Sequence, residues 1–245
     1  MTRTRIILLI LIGLATFRVD AVEAEPVLKV GEFSAAAEGM ALPAGWEPLV
    51  FPKITRHTRY TLVQDNGTRV IEAVSAASAS GLIRRLEIDP RRFPVIAWRW
   101  KITAVLTKGD LTQKAGDDYP ARIYVTFTYD PSKLGFIDRT KYKAARLFYG
   151  QYPPTGTITY VWANKAPVGT TAPNPYTDRV RMVVVESGAA KSGQWVDEER
   201  NVYNDYLEAF GQEPPLISGV ALMTDTDNTG EEITAYYGDI LFRAE

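Results

Sequence analysis

The sequence predicts a mostly β protein, a two-sheet antiparallel sandwich of the jelly-roll type with a helical insertion and one short helix. Three observations favour this fold class. Apolar and polar residues alternate along many short segments, Gly, Pro and Asn turns separate these segments, and only two stretches show helical spacing. A parallel βαβ fold would need helices between most strand pairs. The 245 residues, 46% of them hydrophobic, suit a single domain, which we expect over residues 25–245.

The first predicted element is a secretory signal peptide over residues 1–24. Arg3 and Arg5 supply a positive start, Ile6–Phe17 is an apolar run, and Val22-Glu23-Ala24 offers a cleavage site. An uncleaved anchor is the less favoured alternative, because the apolar run is shorter than the ~20 residues that span a bilayer. We therefore expect a periplasmic or secreted protein with no transmembrane segment after cleavage.

The strands follow from two-residue periodicity. Arg59–Gln64 and Thr68–Val74 flank Asp65-Asn66-Gly67, and Asn-Gly is a strong signal for a tight β-hairpin. Within Ala121–Tyr129, Arg122 and Tyr124 belong to the polar face, opposite an apolar face. The other predicted strands are Val95–Ile102, Thr157–Ala163, Val180–Glu186, Ser218–Met223 and Ala235–Phe242.

Two segments depart from this alternation. Ser132–Tyr149, which follows Asp130-Pro131, has mixed spacing and is predicted to be a helical insertion, at about residues 131–156. Val202–Phe210 carries an apolar stripe at helical spacing and is followed by Gly211, a natural residue for a helix C-terminus.

Composition excludes several function classes. The chain has no cysteine, so thiol catalysis, cysteine-bound metals and lipoprotein anchoring are excluded. Its net charge of −1 gives no reason to expect nucleic acid as a partner. His57 is the single histidine and lies among basic residues, so we expect a surface or loop-packing role for it rather than catalysis. Glu186, which ends an apolar strand, is expected to form a salt bridge there.

The richest group of oxygen ligands is the segment Asp225–Glu232. Calcium prefers carboxylate, amide and carbonyl oxygens, so Asp225 and Asp227 are candidate metal ligands and Ca²⁺ is a candidate cofactor. The favoured alternative is ordinary turn chemistry, since Asp and Asn side chains bond to nearby backbone. We also hypothesise that Arg122 or Arg200 pairs with one of these two carboxylates.

Aromatic residues form the second candidate site. Tyr160 and Trp162 share one face of a predicted strand, and a loop follows Trp162. Together with Tyr124 and Arg122 they are the candidate ligand-binding residues, with Trp162 as the best candidate for an exposed ring. Trp98 and Trp100 are instead expected to fill the core, which is the commoner role of tryptophan in a sandwich.

Several landmarks resemble an exported bacterial family, domain of unknown function 3047. They include Trp98-Arg99-Trp100-Lys101, Arg200-Asn201-Val202, the segment Met223–Thr229 and Tyr236-Tyr237-Gly238-Asp239. The resemblance implies export and assigns no activity. The last strand, Gly238–Phe242, is also similar to the final strand of galactose-binding-like carbohydrate-binding modules. That similarity implies that Asp239 and Glu32 hold a structural calcium ion.

These observations lead to one favoured function and two alternatives. We expect an exported, non-catalytic binding domain that recognises a carbohydrate and holds a structural cation. The alternatives are a glycan-active hydrolase or lyase on the same sandwich, and a structural or assembly partner of another envelope protein. A cleft with two convergent carboxylates would favour the enzyme.

Overall fold

The computed structural model describes residues 26–37, 42–133, 135 and 154–245. Its regular structure consists of two stacked β-sheets, one α-helix and two three-residue 3₁₀ helices, which confirms the predicted sandwich. The elements are β1 (Val27–Gly31), β2 (Glu47–Leu49), β3 (Arg59–Asp65), β4 (Thr68–Ala76), β5 (Ala79–Ile88), β6 (Val95–Ile102), β7 (Arg122–Phe127), β8 (Thr157–Ala163), β9 (Thr171–Asn174), β10 (Thr177–Ser187), β11 (Val196–Asn201), α1 (Val202–Phe210), β12 (Ile217–Asp225) and β13 (Glu232–Arg243).

The two sheets have six and seven strands. The first has the order β11-β6-β13-β4-β3, with β1 also beside β13, and the second has the order β2-β5-β12-β7-β8-β10-β9. Every pair is antiparallel except β8 and β10, which run parallel. This exception arises because the chain passes from β8 to the far side of β10, forms β9 there, and returns as β10.

The predicted hairpin between β3 and β4 is confirmed. Asn66 and Gly67 have φ values of 50° and 79°, so both lie in the left-handed region that a type I′ turn requires. The helix α1 has the predicted bounds. The side chain of Asn201 accepts a hydrogen bond from the Asn204 backbone N–H at its start, and Gly211 ends it with φ of 68°. The predicted insertion helix falls mainly on residues 134 and 136–153, which lie outside the described part of the chain.

The core lies between the sheets and is rich in aromatic rings. Trp98 and Trp100 are buried there, as expected from the sequence. Trp98 stacks on Tyr160 with ring centroids 5.1 Å apart, which joins β6 of one sheet to β8 of the other. Such pairs add to the stability that burial alone gives. Helix α1 closes one end of the core, where Tyr206 packs 4.4 Å from the ring of Phe127.

Among the described residues, no helix is both long and apolar enough to span a membrane.

Candidate functional site

A groove of about 640 Å³ lies on the outer face of the seven-stranded sheet. Side chains from six neighbouring strands, β2, β5, β12, β7, β8 and β10, contribute to it, together with residues that follow β2 and β7 and with Pro154 before β8. Its volume is in the range of pockets that bind small molecules. The residues that line it include Leu49, Ile83, Tyr124, Tyr129, Val180 and Ala221.

The groove exists because small residues lie opposite large ones. In the register of β12 and β7, Ala221 pairs with Tyr124 and Gly219 pairs with Thr126. A Cβ atom at Gly219 would lie 3.2 Å from the Thr126 hydroxyl, so a larger residue there would press on this neighbour. Strand β12, whose side chains at this point are small, therefore forms the floor of the groove, and the Tyr124 ring forms a wall beside it.

The groove combines rings with hydroxyl groups. Tyr124 and Tyr129 supply half-buried aromatic rings, and Thr126 and Ser218 share a hydrogen bond of 3.0 Å between their hydroxyls. Its lining within the described residues includes no Asp or Glu. The one charged side chain in that lining, Arg85, forms an exposed ion pair with Glu47 at 2.7 Å.

Arg122 connects the groove to a group of loops. Its guanidinium is buried, forms an ion pair with Asp225, and lies 3.7 Å from an oxygen of Asp117. It also stacks on two rings, with its Cζ atom 5.0 Å from the Tyr119 centroid and 5.5 Å from that of Tyr124. The hypothesis that Arg122 pairs with Asp225 is therefore confirmed. Tyr124, as a wall of the groove, rests directly on this buried cation.

Arg200, the other arginine considered for this pairing, lies elsewhere. Its Nε atom donates to Asp205 Oδ2 at 3.1 Å, and the same carboxylate oxygen accepts a hydrogen bond from the Tyr160 hydroxyl at 2.7 Å. Arg200 thus links the start of α1 to the core.

Three carboxylates lie close together beside Arg122, and we call them the acidic cluster: Asp118, Asp225 and Asp227. Each contributes one oxygen atom, and these three atoms lie within 4.8 Å of one another. Asp118 accepts hydrogen bonds from the backbone N–H of Thr229 at 2.6 Å and from the side-chain amide of Asn228 at 3.0 Å. Burial raises the pKa of Asp227, and the negative charge of Asp118 raises this pKa further. The contacts of Asp118 support the loop that contains Asn228 and Thr229, and Asp118 is a member of the cluster that the sequence analysis did not identify.

The structure corrects the expectation for Trp162 and Tyr160. Both side chains are fully buried and face the core, and the Trp162 Nε1–H donates to the Gly188 carbonyl at 3.0 Å. Neither ring is available to a ligand on the surface. All seven residues of β8 are buried, because the outer face of this strand is also covered, by Leu111 and Tyr119 among others.

Asp239 and Glu32, the pair implied by the carbohydrate-module resemblance, have separate partners. Asp239 accepts hydrogen bonds from the backbone N–H and the hydroxyl of Ser34, and so supports the turn after β1. Glu32 forms an exposed ion pair with Lys29 at 2.7 Å. These contacts give each carboxylate a structural role near the β1–β13 pair.

A further pair of acids lies between the sheets. Glu186 forms the predicted salt bridge, with Lys191. Glu198 of β11 accepts a hydrogen bond from the Trp100 Nε1–H at 3.3 Å, and burial followed by the charge of Glu186 raises its pKa to about 7. His57, as expected, is exposed, with a ring nitrogen 3.0 Å from the Ile54 carbonyl oxygen.

Solved structures similar to this chain have low identity to it. The carbohydrate recognition domain of Emp47p is 10% identical, with a TM-score of 0.42, over 91% of this chain and 96% of that one. A family 12 xyloglucanase from Bacillus licheniformis is 10% identical, with a TM-score of 0.38, over 86% of this chain and 88% of the xyloglucanase. Cellulose induced protein Cip1 is 12% identical, with a TM-score of 0.39, over 89% of this chain and 96% of Cip1.

No curated protein matches the sequence. A family described as protein of unknown function (DUF3047) matches residues 44–241. This match covers most of the chain and includes the groove, the Arg122 contacts and the acidic cluster. The chain therefore belongs to the DUF3047 family, as its sequence landmarks predicted.

Proposed function

We propose that this protein is an exported, non-catalytic carbohydrate-binding domain and that its groove holds the sugar chain. The observation that carries the proposal is the composition of the groove, which joins two tyrosine rings to a set of hydroxyl groups. Sugars present C–H faces that pack on aromatic rings and hydroxyl groups that exchange hydrogen bonds. An apolar concave surface with a few fixed polar groups is the usual form of such a site.

The absence of acids from the described lining supports binding without hydrolysis. Most glycoside hydrolases use two carboxylates, about 5–9.5 Å apart, on either side of the scissile bond. The acidic cluster beside the groove does not match that arrangement, because Asp225 is ion-paired with Arg122 and Asp118 accepts backbone and amide donors. Export is supported by the predicted signal peptide.

A glycan array, followed by calorimetry on the ligands it identifies, tests the proposal. Tyr124→Ala removes one wall of the groove, and we expect it to weaken affinity by about tenfold or more, which corresponds to ~1.4 kcal/mol. Tyr176→Ala is the matched control, because Tyr176 is 57% exposed and lies outside the groove lining.

Three results would contradict the proposal. They are a folded protein that binds no glycan, binding that the Tyr124 substitution leaves unchanged, and equal loss in both tyrosine variants. Release of reducing sugar by the wild-type protein would overturn the non-catalytic part alone.

A further inference from the structure

A second cavity, of about 500 Å³, adjoins the groove. The two share Thr128 and Tyr129 in their linings, so they adjoin at these residues, and we call the two together the depression. The second cavity, which we call the polar cavity, continues from there to Arg91 and to the segment Pro214–Leu216.

The polar cavity differs from the groove in its chemistry. Arg91, Asp130 and Ser132 contribute polar side chains to it, between prolines that restrict the backbone. Asp130 Oδ1 accepts hydrogen bonds from the backbone N–H of Ser132 at 2.9 Å and from its hydroxyl at 2.6 Å. Arg91 donates to Glu213 at 2.8 Å. The hydrogen bonds from Ser132 orient the Asp130 carboxylate before any ligand arrives, which reduces the entropic cost of binding.

The charge on Arg91 is already compensated. Glu213 lies 2.8 Å and Asp89 3.8 Å from its guanidinium, and Asp130 is part of the same cavity. The cavity therefore favours a neutral ligand rich in hydroxyl groups over an anionic one.

The depression is long compared with one sugar ring. Tyr124 and Tyr129 are five residues apart along β7 and the segment after it, which at about 3.3 Å per residue corresponds to roughly 16 Å. The polar cavity lies beyond Tyr129. A ligand that contacts both ends must therefore be an extended chain.

We propose, on the basis of the function proposed above, that the ligand is a neutral oligosaccharide whose far units occupy the polar cavity. The units nearest Tyr124 pack on the groove, and the units beyond Tyr129 exchange hydrogen bonds with the polar cavity. Recognition then depends on chain length as well as on the type of sugar.

Calorimetry with ladders of cello-, malto- and xylo-oligosaccharides, from monosaccharide to hexasaccharide, tests this inference. We expect the bound ladder to gain about tenfold in affinity between its short and its long members. Arg91→Ala should weaken binding of the hexasaccharide about fivefold and leave the disaccharide unchanged. Ser132→Trp, which narrows the polar cavity, should have the same selective effect. Arg92→Ala is the matched control, since Arg92 is an exposed neighbour outside that lining.

The outcomes separate this inference from the function on which it rests. Binding that depends on Tyr124 but is equally tight for short and long chains would overturn the inference and leave the proposed function standing. The same holds if Arg91→Ala and Ser132→Trp leave the hexasaccharide affinity unchanged, or if they weaken all chain lengths equally. If no ladder and no array glycan binds the folded protein, both proposals fall together.

Discussion

Replacing Glu198 with glutamine is expected to stabilise the protein at alkaline pH. Glu198 faces the core from β11 and accepts its hydrogen bond from Trp100. Burial first, and then the negative charge of Glu186, raise its pKa from 4.5 to about 7. Because the folded-state pKa is higher than the unfolded value, folding favours the protonated acid. This contribution to stability is complete below pH 4.5, declines as the pH rises, and is lost above about pH 7.

The size of the effect follows from the two pKa values. A difference of about 2.5 pH units corresponds to ~3.4 kcal/mol as an upper bound, and partial exposure of Glu198 to solvent reduces it to about 1–2 kcal/mol. Glutamine keeps an oxygen that accepts from Trp100 and carries no charge. At about pH 8 we expect Glu198→Gln to raise Tm by roughly 2–8 °C.

Thermal melts followed by circular dichroism at about pH 4 and about pH 8 measure this difference. Glu199→Gln is the control, because Glu199 is the next residue of β11, is 54% exposed, and pairs with Arg243 at 2.6 Å. We expect less than about 0.5 kcal/mol from this exposed pair at either pH. A loss of stability in Glu198→Gln at pH 8, or an equal gain at both pH values, would refute the explanation by ionisation.

Three other predictions concern the packing and charges around the site. Arg122→Met leaves Asp225 buried without its partner and should cost about 3–5 kcal/mol, measured by urea unfolding. Gly81→Ala places a Cβ atom 2.8 Å from the Leu222 carbonyl oxygen and should cost about 1–3 kcal/mol in the same assay. Since Asp118 and Asp225 already have protein donors, millimolar Ca²⁺ should change Tm by less than about 1 °C, and a larger rise that Asp227→Asn abolishes would assign a cation site.

The strands that alternate clearly were predicted from sequence to within a few residues. Strand β11 was missed, because its inward-facing positions include Glu198 and Arg200, and two charged residues on the inner face remove the alternation. Strand β5 was missed for a related reason, as Arg84 and Arg85 interrupt its apolar run. The edge strands β1, β2 and β9 have five, three and four residues, which is too short for a periodic pattern.

The candidate site was predicted only in part. The polar face of β7 was identified, so Arg122 and Tyr124 were correctly placed on one side of a strand. The sequence analysis named Asp225 and Asp227 as possible partners of Arg122 because of their charge. Only the fold shows that the partner is Asp225, which lies 103 residues away in the chain. Trp162 was misjudged because β8 is covered on both faces, and the sequence of β8 alone does not show that its second face is covered as well.

The groove could not be predicted because its floor depends on register. Ala221 does not stand out in the sequence, and it contributes to the floor of the groove only because β12 places it beside Tyr124. The same register places Arg122 beside Met223, two residues before Asp225. The ion pair therefore fixes the guanidinium on which the Tyr124 ring rests, and the groove wall is positioned before a ligand binds. A wall held in this way loses little conformational entropy on binding, which favours a preformed site over one that closes around its ligand.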